Sequence, residues 1–142
     1  MNGGLVVFFP SLQGNLMSKK ILIIDDSQSM RSFTRMALEG AGYAVEEAVD
    51  GQDALDKLEK EKFDTILSDL NMPNVNGIQM IEKIRDDDRY ESARFTPIIM
   101  LTTESEEEKK QQGQMAGARA WLVKPFAPSQ LVAVMEKICP QD

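Results

Sequence analysis

Carboxylate, hydroxyl and amine side chains follow directly on four separate apolar runs of the chain. They are, in chain order, Asp25 and Asp26, then Asp69, then Thr102 and Thr103, and finally Lys124. Two adjacent carboxylates about 4 Å apart repel each other by roughly 4 kcal/mol at an effective dielectric near 20. A hard divalent cation relieves that repulsion, and Mg²⁺ binds a few carboxylate oxygens together with waters. If these side chains meet, they predict a magnesium site at which lysine and threonine hold the oxygens of a phosphoryl group.

The apolar runs themselves are typical of buried β-strands. Residues 21–24 are continuously apolar, which indicates a strand covered on both faces. The other predicted strands are 43–48, 63–68, 98–102 and 120–123.

Amphipathic segments alternate with these strands and predict helices. Ser27, Asp50 and Ser105 can cap three of them, and Pro128 suits the first turn of the last. Segment 86–93, "DDDRYESA", has the composition of a polar connection. The inward-facing residues that the spacing predicts are Met30, Phe33 and Ala37, then Ala54, Leu55 and Leu58, then Ile78, Ile81 and Ile84, and then Leu131, Met135 and Ile138.

Five strands that alternate with five helices predict an α/β fold. Such units pair in parallel through right-handed crossovers, which makes a three-layer α/β/α sandwich. The carboxyl ends of parallel strands share one edge, so the polar side chains that follow the runs converge there. Taken singly, adjacent aspartates commonly cap a helix, Asp69 could cap a turn, and a lysine before proline is usually surface charge. Their coincidence at four strand ends favours a joint site.

Composition excludes several classes of function. The net charge of −7 argues against a nucleic-acid surface. The chain has no histidine, which rules out Ser-His-Asp or Cys-His centres and histidine-ligated zinc. The single cysteine, Cys139, cannot form an internal disulfide, so we expect the protein to work in a reducing compartment, the cytoplasm. We expect the side chain of Cys139 to fill apolar space in the core. No window holds the roughly 18 apolar residues that a membrane span needs.

Four stretches resemble the receiver domain of bacterial two-component response regulators. They are "LIIDDSQSMR", "ILSDLNMPNVNGIQM", "PIIMLTTES" and "GARAWLVKPF". Within that family, the chain is most similar to the stand-alone chemotaxis regulators. The resemblance covers Lys19 to about Cys139 and implies a doubly wound, flavodoxin-like sheet in the order 2-1-3-4-5. We therefore expect a receiver domain over 19–142, and residues 1–18 as an N-terminal extension that comes from an upstream start or a cloning remnant.

The resemblance also implies roles for the site residues. Asp69 matches the phosphoacceptor and a ligand of Mg²⁺. Asp26 matches a direct ligand of the metal, and Asp25 matches one that acts largely through water. Asn71 matches the residue that supplies a backbone carbonyl to the metal.

Further residues match the family's switch. Thr102 corresponds to the hydroxyl that closes on the phosphoryl group, and Lys124 to the lysine that pairs with it, before a peptide bond to Pro125 that is cis in the family. Trp121 stands where the best-studied chemotaxis receivers carry tyrosine. At the two positions that tune decay in the family, Asn71 and Glu104 have the same residue types as well-known chemotaxis receivers, which predicts a short-lived phosphoryl state. The fourth helix has few apolar anchors, so that helix, the fifth strand and the fifth helix form the expected output surface.

The expected function is that of a single-domain response regulator. It is phosphorylated by a histidine kinase, is not an enzyme beyond self-phosphorylation and autodephosphorylation, and signals by binding the flagellar motor switch or another phosphorylation-dependent target. A phosphatase is a further candidate partner, and we expect a monomer that binds no nucleic acid and spans no membrane. The alternatives are a phosphorelay intermediate or phosphate sink that exchanges phosphate with a histidine phosphotransfer protein, and a magnesium-dependent aspartyl phosphohydrolase.

Overall fold

Strands and helices alternate along the whole described part of the chain. The computed structural model describes residues 18–103 and 107–141. The strands are β1 (Lys20–Ile24), β2 (Ala44–Ala48), β3 (Thr65–Asp69), β4 (Ile98–Thr102) and β5 (Ala120–Val123). The helices are α1 (Gln28–Gly40), α2 (Gly51–Lys60), α3 (Gly77–Asp86), α4 (Glu107–Ala116) and α5 (Pro128–Ile138), with a 3₁₀ helix at Asp88–Ala93.

All five strands pair in parallel in the order β2-β1-β3-β4-β5, which confirms the predicted sheet. Ile24 in β1 lies opposite Ser68 in β3, and Thr102 in β4 lies opposite Val123 in β5. The strands therefore end almost level. Chain connections leave β1 and β3 toward opposite sides of the sheet, which opens a crevice between their carboxyl ends.

The core consists of two apolar clusters, one on each face of the sheet. Ile21 and Ile23 of β1 belong to the cluster that contains Leu38 of α1 and Leu131 of α5. Their neighbours Leu22 and Ile24 belong to the cluster formed with α2 and α3. This division follows from the two-residue period of a strand. It explains why β1 is apolar at every position from 21 to 24.

One residue of the predicted inward face of α1 is wrong, whereas Met30 and Ala37 pack against the core as predicted. The pattern predicts Phe33 in the core, but its side chain is 38% exposed and packs on the ring of Phe126, with ring centroids 6.0 Å apart. The buried positions of α1 are Thr34 and Leu38, which are spaced four apart. A helix turns about 100° per residue, so Phe33 points to the side of that row rather than along it. In the same way, Met80 joins Ile81 and Ile84 in the buried row of α3, and Ile78 is only partly buried.

The prediction of a polar connection at 86–93 is also wrong. Asp88–Ala93 forms a 3₁₀ helix that buries Tyr90 and Ala93. Asp87 starts it by accepting a hydrogen bond from the N–H of Arg89 at 2.9 Å. Because acidic residues dominate the composition of this segment, the sequence pattern does not predict that Tyr90 and Ala93 are buried.

Two of the predicted caps are present. Ser27 accepts from the N–H of Met30, and Asp50 accepts from the N–H of Asp53. The third, Ser105, lies outside the described residues, as does all but the last residue of the extension predicted over 1–18. Cys139 is a buried free cysteine, as expected of an apolar filler. Within the described ranges, every helix is too short or too polar to cross a membrane.

Candidate acidic site at the carboxyl edge of the sheet

Three carboxylates meet at the crevice between β1 and β3. One carboxylate oxygen from each of Asp25, Asp26 and Asp69 lies within 4.8 Å of the other two. Asp25 and Asp26 continue the line of β1 beyond Ile24, and Asp69 is the last residue of β3. Asp25 is buried, Asp69 is partly buried and Asp26 is exposed. The site is therefore open to solvent on the side of Asp26.

A single ammonium group lies between two of these carboxylates. Lys124 directly follows β5, and its Nζ is 2.9 Å from Oδ2 of Asp25 and 3.5 Å from Oδ2 of Asp69. Its side chain is only 12% exposed. The peptide bond from Lys124 to Pro125 is cis, as the resemblance implies. Asp25, Asp26, Asp69 and Lys124 are referred to below as the aspartate site.

The carboxyl of Asp69 is electrostatically unusual. Burial raises its pKa above the ordinary aspartate range, and the nearby charge of Asp25 adds to that rise. Lys124 and the N–H of Asn71 lower the pKa but do not outweigh burial. A carboxylate that the surroundings stabilise this poorly is more basic than usual and gains from an additional positive charge. Both properties suit a nucleophile beside a cation.

The other predicted residues occupy different positions around this site. Thr102 is fully buried at the end of β4, whereas Thr103 is exposed. Asn71 follows β3 with an exposed side chain. Ser68 donates to the backbone oxygen of Asp69 at 2.9 Å, so it supports the strand end. Glu104 lies outside the described residues, and the structure does not locate its predicted role.

Trp121, a residue of β5, packs its ring against α4. It is partly buried against the apolar cluster on the α2 and α3 side of the sheet. Gly113 of α4 faces its ring so closely that a Cβ there would lie 2.7 Å from Cζ3 of the indole. The predicted switch aromatic therefore touches the helix that is expected to form part of the output surface.

Arg31 of α1, which the sequence analysis did not identify, contacts the backbone of the aspartate site. Nη1 of Arg31 in α1 donates to the backbone oxygen of Asp25 at 2.6 Å. The same guanidinium donates through Nε to Glu47 of β2 at 3.0 Å. Nothing in the sequence pairs these residues, because the contact depends on how α1 lies across β1 and β2.

The donor set fits a hard divalent cation. All three convergent groups are carboxylates, and one ammonium leaves their negative charge in excess. Oxygen ligands of this kind suit Mg²⁺, whereas sites for softer metals use nitrogen and sulfur. Asp25, Asp26 and Asp69 would hold such an ion.

A doubly wound parallel sheet with an acidic crevice at its switch point is the arrangement that the sequence predicts for a receiver domain. Residues 21–136 match the family model for the response regulator receiver domain. The chain belongs to the response regulator receiver domain family.

Several known proteins are similar to this chain. The transcriptional regulatory protein ResD of Bacillus subtilis is 42% identical over 113 residues, which are 80% of this chain and 45% of ResD. The chain thus matches less than half of that relative. Among solved structures, the chemotaxis response regulator CheY4 of Vibrio cholerae is 45% identical with a TM-score of 0.78, over 85% of this chain and 98% of CheY4.

A further structure bears on the metal. The receiver domain of the sensor histidine kinase PA1611 from Pseudomonas aeruginosa PAO1 has a magnesium ion coordinated in its active site cleft. It is 27% identical to this chain with a TM-score of 0.76, and the match covers 85% of this chain and 97% of that domain.

Proposed function

We propose that this chain accepts a phosphoryl group on Asp69 from a histidine kinase in the cytoplasm, in a reaction that requires Mg²⁺. The observation that carries the proposal is the partly buried Asp69 carboxylate with its raised pKa, beside two further carboxylates and the ammonium of Lys124. Membership of the receiver family supports the same assignment.

The chemistry follows from the positions of these groups. A carboxylate oxygen of Asp69 attacks the phosphorus of a phosphohistidine, so that a P–O bond forms as the P–N bond breaks and the product is an acyl phosphate. Lys124 is close enough to Asp69 to pair with the oxygens of the transferred group. Bound Mg²⁺ would neutralise the charge that develops on those oxygens. Water later attacks the same phosphorus, which breaks the acyl P–O bond, releases inorganic phosphate and restores the Asp69 carboxylate. In this proposal the chain turns over only its own phosphoryl group.

In this proposal, the signal passes from the aspartate site to a surface that binds the target. Thr102 and Trp121 are the proposed intermediates, since they lie on adjacent strands and Trp121 contacts α4. We propose that α4, β5 and α5 form the surface that binds the target. The similarity to CheY4, which covers 98% of that protein, favours a chemotaxis target such as the flagellar motor switch.

A second output is supported by a different observation. ResD is described as a transcriptional regulatory protein, and 80% of this chain matches it. The second candidate is therefore a receiver that controls transcription. Binding of a motor-switch segment only in the presence of beryllofluoride and Mg²⁺ would support chemotaxis, and its absence would favour the second candidate.

Phosphorylation by acetyl phosphate tests the central proposal. We expect the wild-type chain to incorporate one phosphoryl group in the presence of Mg²⁺, and Asp69→Asn to incorporate none. Asp56→Asn is the matched control because Asp56 is an exposed aspartate of α2, outside the aspartate site, and it should behave as wild type. Incorporation into Asp69→Asn at the wild-type rate would refute the assignment.

A further inference from the structure

Arg31 contacts the peptide that joins two of the three carboxylates. Its Nη1 donates at 2.6 Å to the carbonyl oxygen of Asp25, which belongs to the peptide bond between Asp25 and Asp26. The side chain of Arg31 is 12% exposed, so water competes little for this bond. A charged donor makes a stronger hydrogen bond than a neutral one. The contact therefore fixes the orientation of the link between Asp25 and Asp26.

The remaining polar groups of Asp25 have partners of a different kind. Its N–H donates to Ala48 of β2 at 3.3 Å, and its Oδ1 accepts from the N–H of Ser27 at 2.9 Å. Its Oδ2 accepts from Lys124, which belongs to the aspartate site. Arg31 is thus a charged side chain that holds Asp25 without being part of the site. Its hydrogen bond acts on the backbone of Asp25 and not on the carboxylate.

A guanidinium so near an acidic site would normally weaken cation binding. Glu47 prevents this, because its Oε1 accepts from Nε of Arg31 at 3.0 Å. A hydrogen bond from Arg35 and a second one from Arg31 hold the pKa of Glu47 below its ordinary range. Glu47 therefore stays ionised near neutral pH. Arg31 and Arg35 share Glu47, and Arg35 also pairs with Glu39 at 3.2 Å, so two carboxylates balance the two guanidinium groups. The cluster supplies a rigid donor with little net positive charge.

We propose that Arg31 is a positioning residue for divalent cation binding. Through the carbonyl of Asp25, it holds the carboxylates of Asp25 and Asp26 in the arrangement that receives Mg²⁺. This inference rests on the proposed function, and it assigns to that function a residue of α1 that touches neither the ion nor the phosphoryl group.

Titration of the full chain with MgCl₂ in a calorimeter tests the proposal. Residues that orient metal ligands typically change affinity by about 10–100-fold when they are replaced. We expect Arg31→Met, which removes the donors and keeps an apolar stem, to bind Mg²⁺ roughly 10-fold more weakly. Arg31→Lys, which keeps a charged donor, should recover part of that loss.

Arg35→Met is the matched control. Arg35 lies one turn further along α1 and donates to the same Glu47, but its backbone partner is Val45, at 3.2 Å, instead of Asp25. We expect Arg35→Met to lower stability and to leave the Mg²⁺ affinity close to that of the wild type. Labelling by acetyl phosphate gives a second measurement: Arg31→Met should need about 10-fold more Mg²⁺ for half of its maximal rate.

The outcomes separate the alternatives. Equal Mg²⁺ affinities for Arg31→Met and Arg35→Met would overturn the inference. So would tighter binding by Arg31→Met, because loss of a positive charge alone strengthens cation binding. If Arg31→Met does not fold, the same difference must hold between Arg31→Gln and Arg35→Gln. A wild-type chain that does not bind Mg²⁺ would overturn the proposed function together with this inference.

Discussion

Replacing Gly113 by alanine sets two opposite effects against each other. Alanine is more favourable than glycine inside a helix by roughly 0.5–1 kcal/mol, so the change should stabilise α4 on propensity alone. Yet the new Cβ would lie 2.7 Å from Cζ3 and 3.1 Å from Cε3 of Trp121. Carbon atoms in contact prefer about 3.5–4.0 Å, so the indole would have to retreat by roughly 1 Å.

We expect the steric clash to change the free energy of unfolding more than the gain in helix propensity does. Forcing an extra carbon into a packed contact costs about 1–3 kcal/mol, which exceeds the helix gain. We therefore expect Gly113→Ala to lower the free energy of unfolding by roughly 1 kcal/mol. Gly40→Ala is the matched control, since Gly40 is the last residue of α1 and a Cβ there would meet no other element within 4 Å. That variant should be as stable as the wild type or slightly more stable.

Urea denaturation followed by circular dichroism measures both free energies. Trp121 is the single tryptophan of the chain, so its emission reports separately on the indole, and we expect a red shift in Gly113→Ala. On a Trp121→Ala background the clash is gone, and Gly113→Ala should then stabilise the chain by about 0.5–1 kcal/mol. If Gly113→Ala stabilises the wild-type chain and leaves the emission unchanged, the argument from close packing is wrong.

Two other predictions concern single side chains. Lys124→Met removes a charge that lowers the pKa of Asp69, so the pKa of Asp69 should rise further. The nucleophile is the ionised carboxylate. As the pH is lowered, labelling by acetyl phosphate should therefore fail at a higher pH in Lys124→Met than in the wild type. Lys60→Met, at an exposed position of α2, should keep the wild-type pH profile, and identical profiles for both variants would contradict the prediction. Tyr43→Phe removes a buried hydrogen bond of 3.0 Å to the carbonyl of Cys139 and should lower the free energy of unfolding by about 1–3 kcal/mol, which urea denaturation measures; no loss would show that the bond adds nothing.

The convergence of the polar side chains can be predicted because it needs only the direction of the strands. Once the chain alternates between strand and helix, parallel pairing brings Asp25, Asp69 and Lys124 to one edge whatever the details of packing. The structure places them within the distances that a shared site requires. Strand direction is therefore sufficient to place these groups on one edge, and the resemblance to the receiver family supplies the strand order that brings β1 beside β3.

Contacts that depend on how layers pack cannot be predicted in the same way. Arg31 meets Glu47 because α1 packs against β2. The sequence pattern misplaces Phe33 because a shift of one residue turns a helical side chain by about 100°, and the apolar residues of α1 are compatible with both settings. It misses Tyr90 because a short 3₁₀ helix has too few residues to show a period.

The two apolar clusters on opposite faces of the sheet are largely independent of each other. Residues that pack beneath α1 and α5 share few neighbours with those beneath α2 and α3, because the backbone of the strands separates them. Free-energy changes in distant, unshared surroundings are close to additive. A lineage can therefore remodel one side of such a domain for a new partner while the opposite side keeps its inherited packing.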